Sequence, residues 1–161
     1  MSVTMITLRW VTDSDPISAA IRDFEYGFWA SHNEVLMPDG TLLGAHYDGG
    51  VLARSKDYDK GKFARELYVP ILVSQAMADK FHTFLRSQIN KPYDTKAIAG
   101  IVLQRNWREP DSWFCSELVA AALADCSYWP SRLADDFNHI TPRDTLLIVS
   151  SRVTVPMESL S

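Results

Sequence analysis

Apolar positions change their period along the chain. In the first half they alternate with polar residues or form short runs; later they recur every three to four residues. Residues 4–10, 28–37, 41–47, 51–54 and 63–71 read as strands. Asp13-Ser14-Asp15-Pro16 is a helix start with proline near the first helical position, and predicts a short helix over 16–24. Pro38-Asp39-Gly40 is a turn signal between two strand-like segments, which therefore form a hairpin. Residues 55–62 are polar and loop-like. Val73, Met77, Phe81, Phe84 and Leu85 share one stripe of a helix over 73–89, which Asn90-Lys91-Pro92 ends. A short helix over 95–103, a polar loop to Asp111 and a helix over about 113–126 follow. Residues 130–143 read as irregular, and 144–155 as one or two final strands. A meander followed by helices predicts an α+β fold with a mainly antiparallel sheet. No repeat or linker interrupts the pattern, so residues 1–161 read as a single domain.

Composition narrows the function classes. The net charge is −4 and no basic stripe appears, which argues against nucleic acid as a partner. The first ten residues lack a basic segment and a long apolar run, so neither a signal peptide nor a membrane span is expected, and a cytoplasmic location is. Cys115 and Cys126, on one helix, would lie roughly 16 Å apart along its axis, beyond disulfide reach. Both are expected as free thiols. No H-x-x-x-H or C-x-x-C spacing occurs, so no metal site and no cofactor is expected.

The segment Asp111-Ser112-Trp113-Phe114-Cys115-Ser116-Glu117-Leu118-Val119 carries the candidate chemistry. It sets Cys115 in the first turn of a helix, behind an Asp/Ser cap. First-turn N–H groups have no partner inside the helix, and the dipole there favours thiolate, the nucleophilic form. Cys115, Leu118, Val119, Ala122, Leu123 and Cys126 also form one apolar face, which suits two buried small hydrophobes equally well. For Cys126, three turns in, the packing role is the expectation.

A thiol hydrolase needs a base, and His32 on the strand 28–37 is the candidate. If Pro38-Asp39-Gly40 forms a three-residue loop, Met37 pairs with Thr41 and His32 falls opposite His46. His46 could then orient the His32 ring as the third member of a Cys–His–polar triad. Glu34, two residues along on the same face, is the competing orienter, though a solvated strand carboxylate is its expected state. His82 lies off the apolar stripe and should be exposed; His139 lies in the irregular segment. Neither is assigned a role. Trp29, Tyr47, Trp107, Trp113, Tyr128 and Trp129 suit either a binding groove or the core.

Lys91-Pro92-Tyr93-Asp94, followed some twenty residues on by Phe114-Cys115-Ser116-Glu117-Leu118-Val119, resembles the NlpC-type cell-wall peptidases. In ordinary members the histidine follows the cysteine. Here it precedes it, as in the circularly permuted branch of YiiX-like hydrolases and the lecithin:retinol acyltransferase group. Ser31-His32-Asn33-Glu34 with Pro38 to Ala45 looks like the histidine hairpin of that branch. The resemblance spans roughly residues 28–125. It implies a permuted papain-like fold with the sheet packed against the cysteine helix. It implies Cys115 as nucleophile, His32 as base, a polar third residue such as His46, and Tyr93 beside the nucleophile. Glu117 and Phe114 depart from the usual Gly and Asp of ordinary members. The implied activity is amide hydrolysis through an acyl-enzyme, on a peptide such as a peptidoglycan fragment. Acyl-ester or thioester hydrolysis or transfer, on a lipid-like substrate, is the alternative. A non-catalytic module, or a structural part of a phage-like assembly, is the rival outside enzymology.

Overall fold

The computed structural model describes residues 2–12, 16–24, 27–96, 111–129 and 140–151. In chain order these form β1 (Val3–Val11), α1 (Pro16–Phe24), β2 (His32–Leu36), β3 (Leu42–His46), β4 (Gly50–Arg54), β5 (Glu66–Ser74) and α2 (Gln75–Ser87). The helices α3 (Cys115–Asp125) and α4 (Pro142–Ser150) complete the described elements. The five strands make one sheet in the order β4-β3-β2-β1-β5, with every neighbour antiparallel. The expected α+β class with an antiparallel sheet is observed. No helix among the described residues is long and apolar enough to cross a membrane.

Alternation along β1 separates two faces of the sheet. Ile6, Leu8 and Trp10 join Val35 and Leu43 in a core closed by Phe81 and Leu85 of α2 and Leu118 and Leu123 of α3. Each such side chain contributes about 1.5–3 kcal/mol when fully buried. The other face carries Arg9, paired in register with Glu34. The hairpin loop closes as the turn signal predicts: the Met37 N–H donates to the Thr41 carbonyl at 2.8 Å. The register Val35↔Leu43, carried one and three residues on, sets Gly44 across from Glu34 and His46 towards His32. Pro70 sits in β5, an edge strand, where a missing N–H is tolerated.

One expected element is overturned. Residues 142–150 are helix rather than strand. The run Leu146-Leu147-Ile148-Val149 looks like a strand by composition. However, the Thr141 hydroxyl accepts from the Asp144 N–H while the Asp144 carboxylate accepts from the Thr141 N–H, a reciprocal cap just ahead of the run. Pro142 begins the helix, and Thr145 and Val149, four apart, are both buried. Thr145 also accepts from the Asn33 side chain at 2.9 Å, and Trp10 donates to the Pro142 carbonyl at 2.8 Å, so α4 is pinned to the sheet. Most of the segments expected at 95–103 and 130–143, and all of the loop 104–110, lie outside the described residues, as do Trp107 and His139.

Candidate active site

Cys115 is the first residue of α3. The cap differs from the expected Asp/Ser pair: the N-cap is Phe114, whose N–H donates to the Glu117 carboxylate at 3.3 Å. Asp111 instead takes a left-handed backbone (φ 64°) in the turn before the helix. The Pro92-Tyr93-Asp94 segment runs alongside this helix start. The Trp113 N–H donates to the Pro92 carbonyl at 3.0 Å, and the Asp94 N–H to the Trp113 carbonyl at 3.0 Å. Tyr93 thereby stacks edge-on against Phe114, ring centroids 5.9 Å apart. The same segment packs against β4, where Gly50 (φ 75°) is required: a Cβ there would run into the Lys91 carbonyl.

His32 opens β2, and the Cys115 side chain is among the groups that interact with its ring. Its Nε2 makes no hydrogen bond. Nε2 is turned instead toward Glu34, 3.7 Å from Oε2, an ion-pair separation. Burial disfavours the charged ring, but the Cys115 sulfur and the Glu34 carboxylate outweigh it, and the His32 pKa is pushed up to about 10. His46 stands on the far side of the carboxylate, its Nε2 3.6 Å from Glu34 Oε2. Its ring centroid is 4.9 Å from that of His32. Burial and the neighbouring His32 charge lower its pKa to about 3, so His46 is neutral at pH 7.

Glu34 is not the solvated carboxylate expected from the sequence. It is fully buried, and carries a network missed by the sequence reading. Arg9 donates to Glu34, to Asp59 at 2.8 and 3.2 Å, and to Glu66 at 2.9 Å. The Tyr58 hydroxyl lies 3.4 Å from Glu34 Oε2. Burial raises the Glu34 pKa, and His32, His46 and Arg9 together bring it down to about 2. The available signal was Arg9 itself, a charge set between Leu8 and Trp10 in an apolar strand. Asp59 and Tyr58 come from the polar loop after β4, which pattern reading cannot aim.

A cleft of about 390 Å³ opens onto this site, lined by His32, His46, Tyr47, Tyr58, Arg54 and Tyr93 among others. That volume suits a small ligand or one or two residues of a chain. Tyr47 lines it, whereas Trp113, Tyr128 and Trp129 are core. Cys115 is 1% exposed and does not line this cleft. Cys126 is also buried; its thiol donates to the Leu123 carbonyl, and burial raises its pKa. His82, expected to be exposed, is buried against Phe81, and its pKa is lowered by that burial.

Sequence spacing weighs ligands along single elements, whereas the fold also brings residues together across strands. His32, Glu34 and His46 bring three ligand atoms within 4.8 Å of one another, across a hairpin rather than along one element. Compared with known proteins, the chain matches no family model and no curated protein sequence.

Proposed function

We propose that the protein is a cysteine hydrolase of the circularly permuted papain-like type, cleaving an amide bond through an acyl-enzyme. The observation that carries this reading is that the Cys115 side chain, at a helix N-terminus, interacts with the buried His32 ring, on a helix packed directly against β2 and β3. A thiol, an imidazole and a buried carboxylate in line are the parts a nucleophile, its base and an orienter require.

In this reading the His32 Nδ1 holds the proton taken from Cys115, and the thiolate attacks the substrate carbonyl carbon. The helix-start N–H of Cys115 donates to the oxyanion, an interaction worth about 3 kcal/mol in comparable sites. The tetrahedral intermediate collapses as His32 returns its proton to the leaving amine, which leaves a thioester on Cys115. His32 then takes a proton from water, the hydroxide attacks the thioester, and the acid departs with the thiol restored. Glu34 orients the ring through Nε2 and is held in turn by Arg9. It fits the orienting role better than His46, whose neutral ring meets His32 side by side. Tyr93 borders both the cleft and Phe114, and belongs to the substrate wall.

The test compares wild type, Cys115→Ala, Cys126→Ala and His32→Gln against activated amides, p-nitrophenyl esters and peptidoglycan fragments. Turnover should vanish in Cys115→Ala and fall by about 10²-fold or more in His32→Gln. It should persist in Cys126→Ala. Activity that survives in Cys115→Ala overturns the reading. Release of product from an ester but from no amide moves the substrate class to acyl esters.

A further inference from the structure

We infer that His32, Glu34 and His46 form a binding site for a divalent transition-metal ion of the zinc type. The site lies behind the histidine, not on the thiol. Glu34 Oε2 is 3.7 Å from His32 Nε2 and 3.6 Å from His46 Nε2. A tetrahedral ion with bonds of about 2.0–2.1 Å sets its donors roughly 3.4 Å apart. Each histidine–carboxylate separation therefore needs to shorten by only about 0.2–0.3 Å, while the two histidine nitrogens, up to 4.8 Å apart, must close by up to about 1.4 Å, a rotation of the rings about their side-chain bonds. All three donor atoms already lie within 4.8 Å of one another.

An independent observation points to a ligand here. The Nε2 atoms of both histidines are buried and make no hydrogen bond; each faces the same Glu34 oxygen, from 3.7 and 3.6 Å, beyond hydrogen-bond distance. Two buried nitrogens aimed at one carboxylate oxygen without bonding to it are uncommon, since buried polar groups are nearly always satisfied. They converge over Gly44, where a Cβ would stand 3.5 Å from each Nε2 and 2.8 Å from the Glu34 Cβ. Glycine keeps that volume open.

Charge and chemistry select the ion. Arg9 carries one positive charge against three carboxylates, Glu34, Asp59 and Glu66. That cluster of Arg9 and three carboxylates has a net charge of minus two, which favours a cation beside Glu34, and the ion takes the place of a proton on His32 Nε2. Two nitrogens and one oxygen suit zinc and its neighbours, not magnesium or calcium, which require mostly oxygen. The Arg9 bond to Glu34 Oε1 fixes the carboxylate so that Oε2 faces the histidines, the usual outer support of a metal ligand. His32 and His46 both line the cleft, which gives the ion a path and a solvent molecule for the fourth position.

The binding itself does not depend on the hydrolase reading, but its consequence does. A metal on Nε2 leaves His32 one nitrogen for a proton, so the imidazolium that serves the thiol cannot form. Zinc then acts as a reversible inhibitor that never touches the sulfur.

The experiment titrates the chelator-washed full chain with Zn²⁺ by calorimetry, and with Co²⁺ by absorption. One equivalent should bind, with affinity lowered at least about tenfold in His46→Ala and in Glu34→Gln and little changed in Cys115→Ala. Circular dichroism checks that each variant is folded. Cobalt should give tetrahedral d–d bands without a sulfur-to-cobalt charge-transfer band, a readout that needs no variant. Absence of saturable binding, loss of binding in Cys115→Ala, or a sulfur charge-transfer band overturns the inference. Zinc bound by a protein with no hydrolytic activity would leave the metal site standing and remove the proposed function. Hydrolysis without zinc binding would do the reverse.

Discussion

Replacing Cys115 with alanine should lower the His32 pKa by two units or more. The folded protein holds that pKa at about 10, against an ordinary 6.5. The difference corresponds to about 5 kcal/mol in favour of the charged ring. Burial opposes it, so the favourable interactions must exceed this figure. A full charge on Glu34 Oε2, 3.7 Å from Nε2, supplies about 4 kcal/mol at an effective dielectric constant of 20. The sulfur outranks that carboxylate in raising this pKa, so without it burial offsets more of what Glu34 supplies and His32 should titrate near or below about pH 8. Glu34→Gln should produce a smaller drop, because the carboxylate ranks behind the sulfur among the groups that raise this pKa. The measurement is a proton–carbon NMR titration of the imidazole Hε1 resonances in chelator-containing buffer, with His32→Gln for assignment. A His32 pKa that moves by less than about half a unit in Cys115→Ala would refute the reasoning, because the sulfur would then not be the ring's partner.

Gly44→Ala should destabilise the protein by about 1–3 kcal/mol, since the new methyl meets the Glu34 Cβ at 2.8 Å and the strand must move; urea unfolding with an unchanged m-value reads this directly. Stability should also fall at alkaline pH. The His32 pKa is raised on folding, so its contribution is complete below pH 6.5 and disappears as pH climbs toward about 10. Glu34 has the opposite sign: its contribution is present above pH 4.5 and is lost as pH drops through about 2. Chemical-denaturation midpoints taken across that range should show the alkaline decline in wild type and a shallower one in His32→Gln.

Local chemistry in the sequence determined much of the scaffold. The Pro38-Asp39-Gly40 signal placed the turn, while the structure decided that the loop has three residues, the length that sets which residues face each other across β2 and β3. Helical spacing identified α2 and α3 and set Cys115 at a helix start. Where a short-range signal and composition disagreed, at 142–150, the Thr141–Asp144 cap was the informative one, because it settles the backbone before the apolar run begins. The charged interior was decided only in three dimensions. Pattern reading treats an isolated carboxylate such as Glu34 as solvated, because burying a charge without a partner is prohibitive. Its partners are Arg9, in a different strand, and groups from a loop whose path no periodicity describes. The sequence holds the sulfur and the imidazole 83 residues apart, and only the packing of α3 against β2 and β3 brings them into contact. That meeting, and the convergence of two histidines on one carboxylate above a glycine, belong to tertiary structure, because they arise between elements that share no local signal.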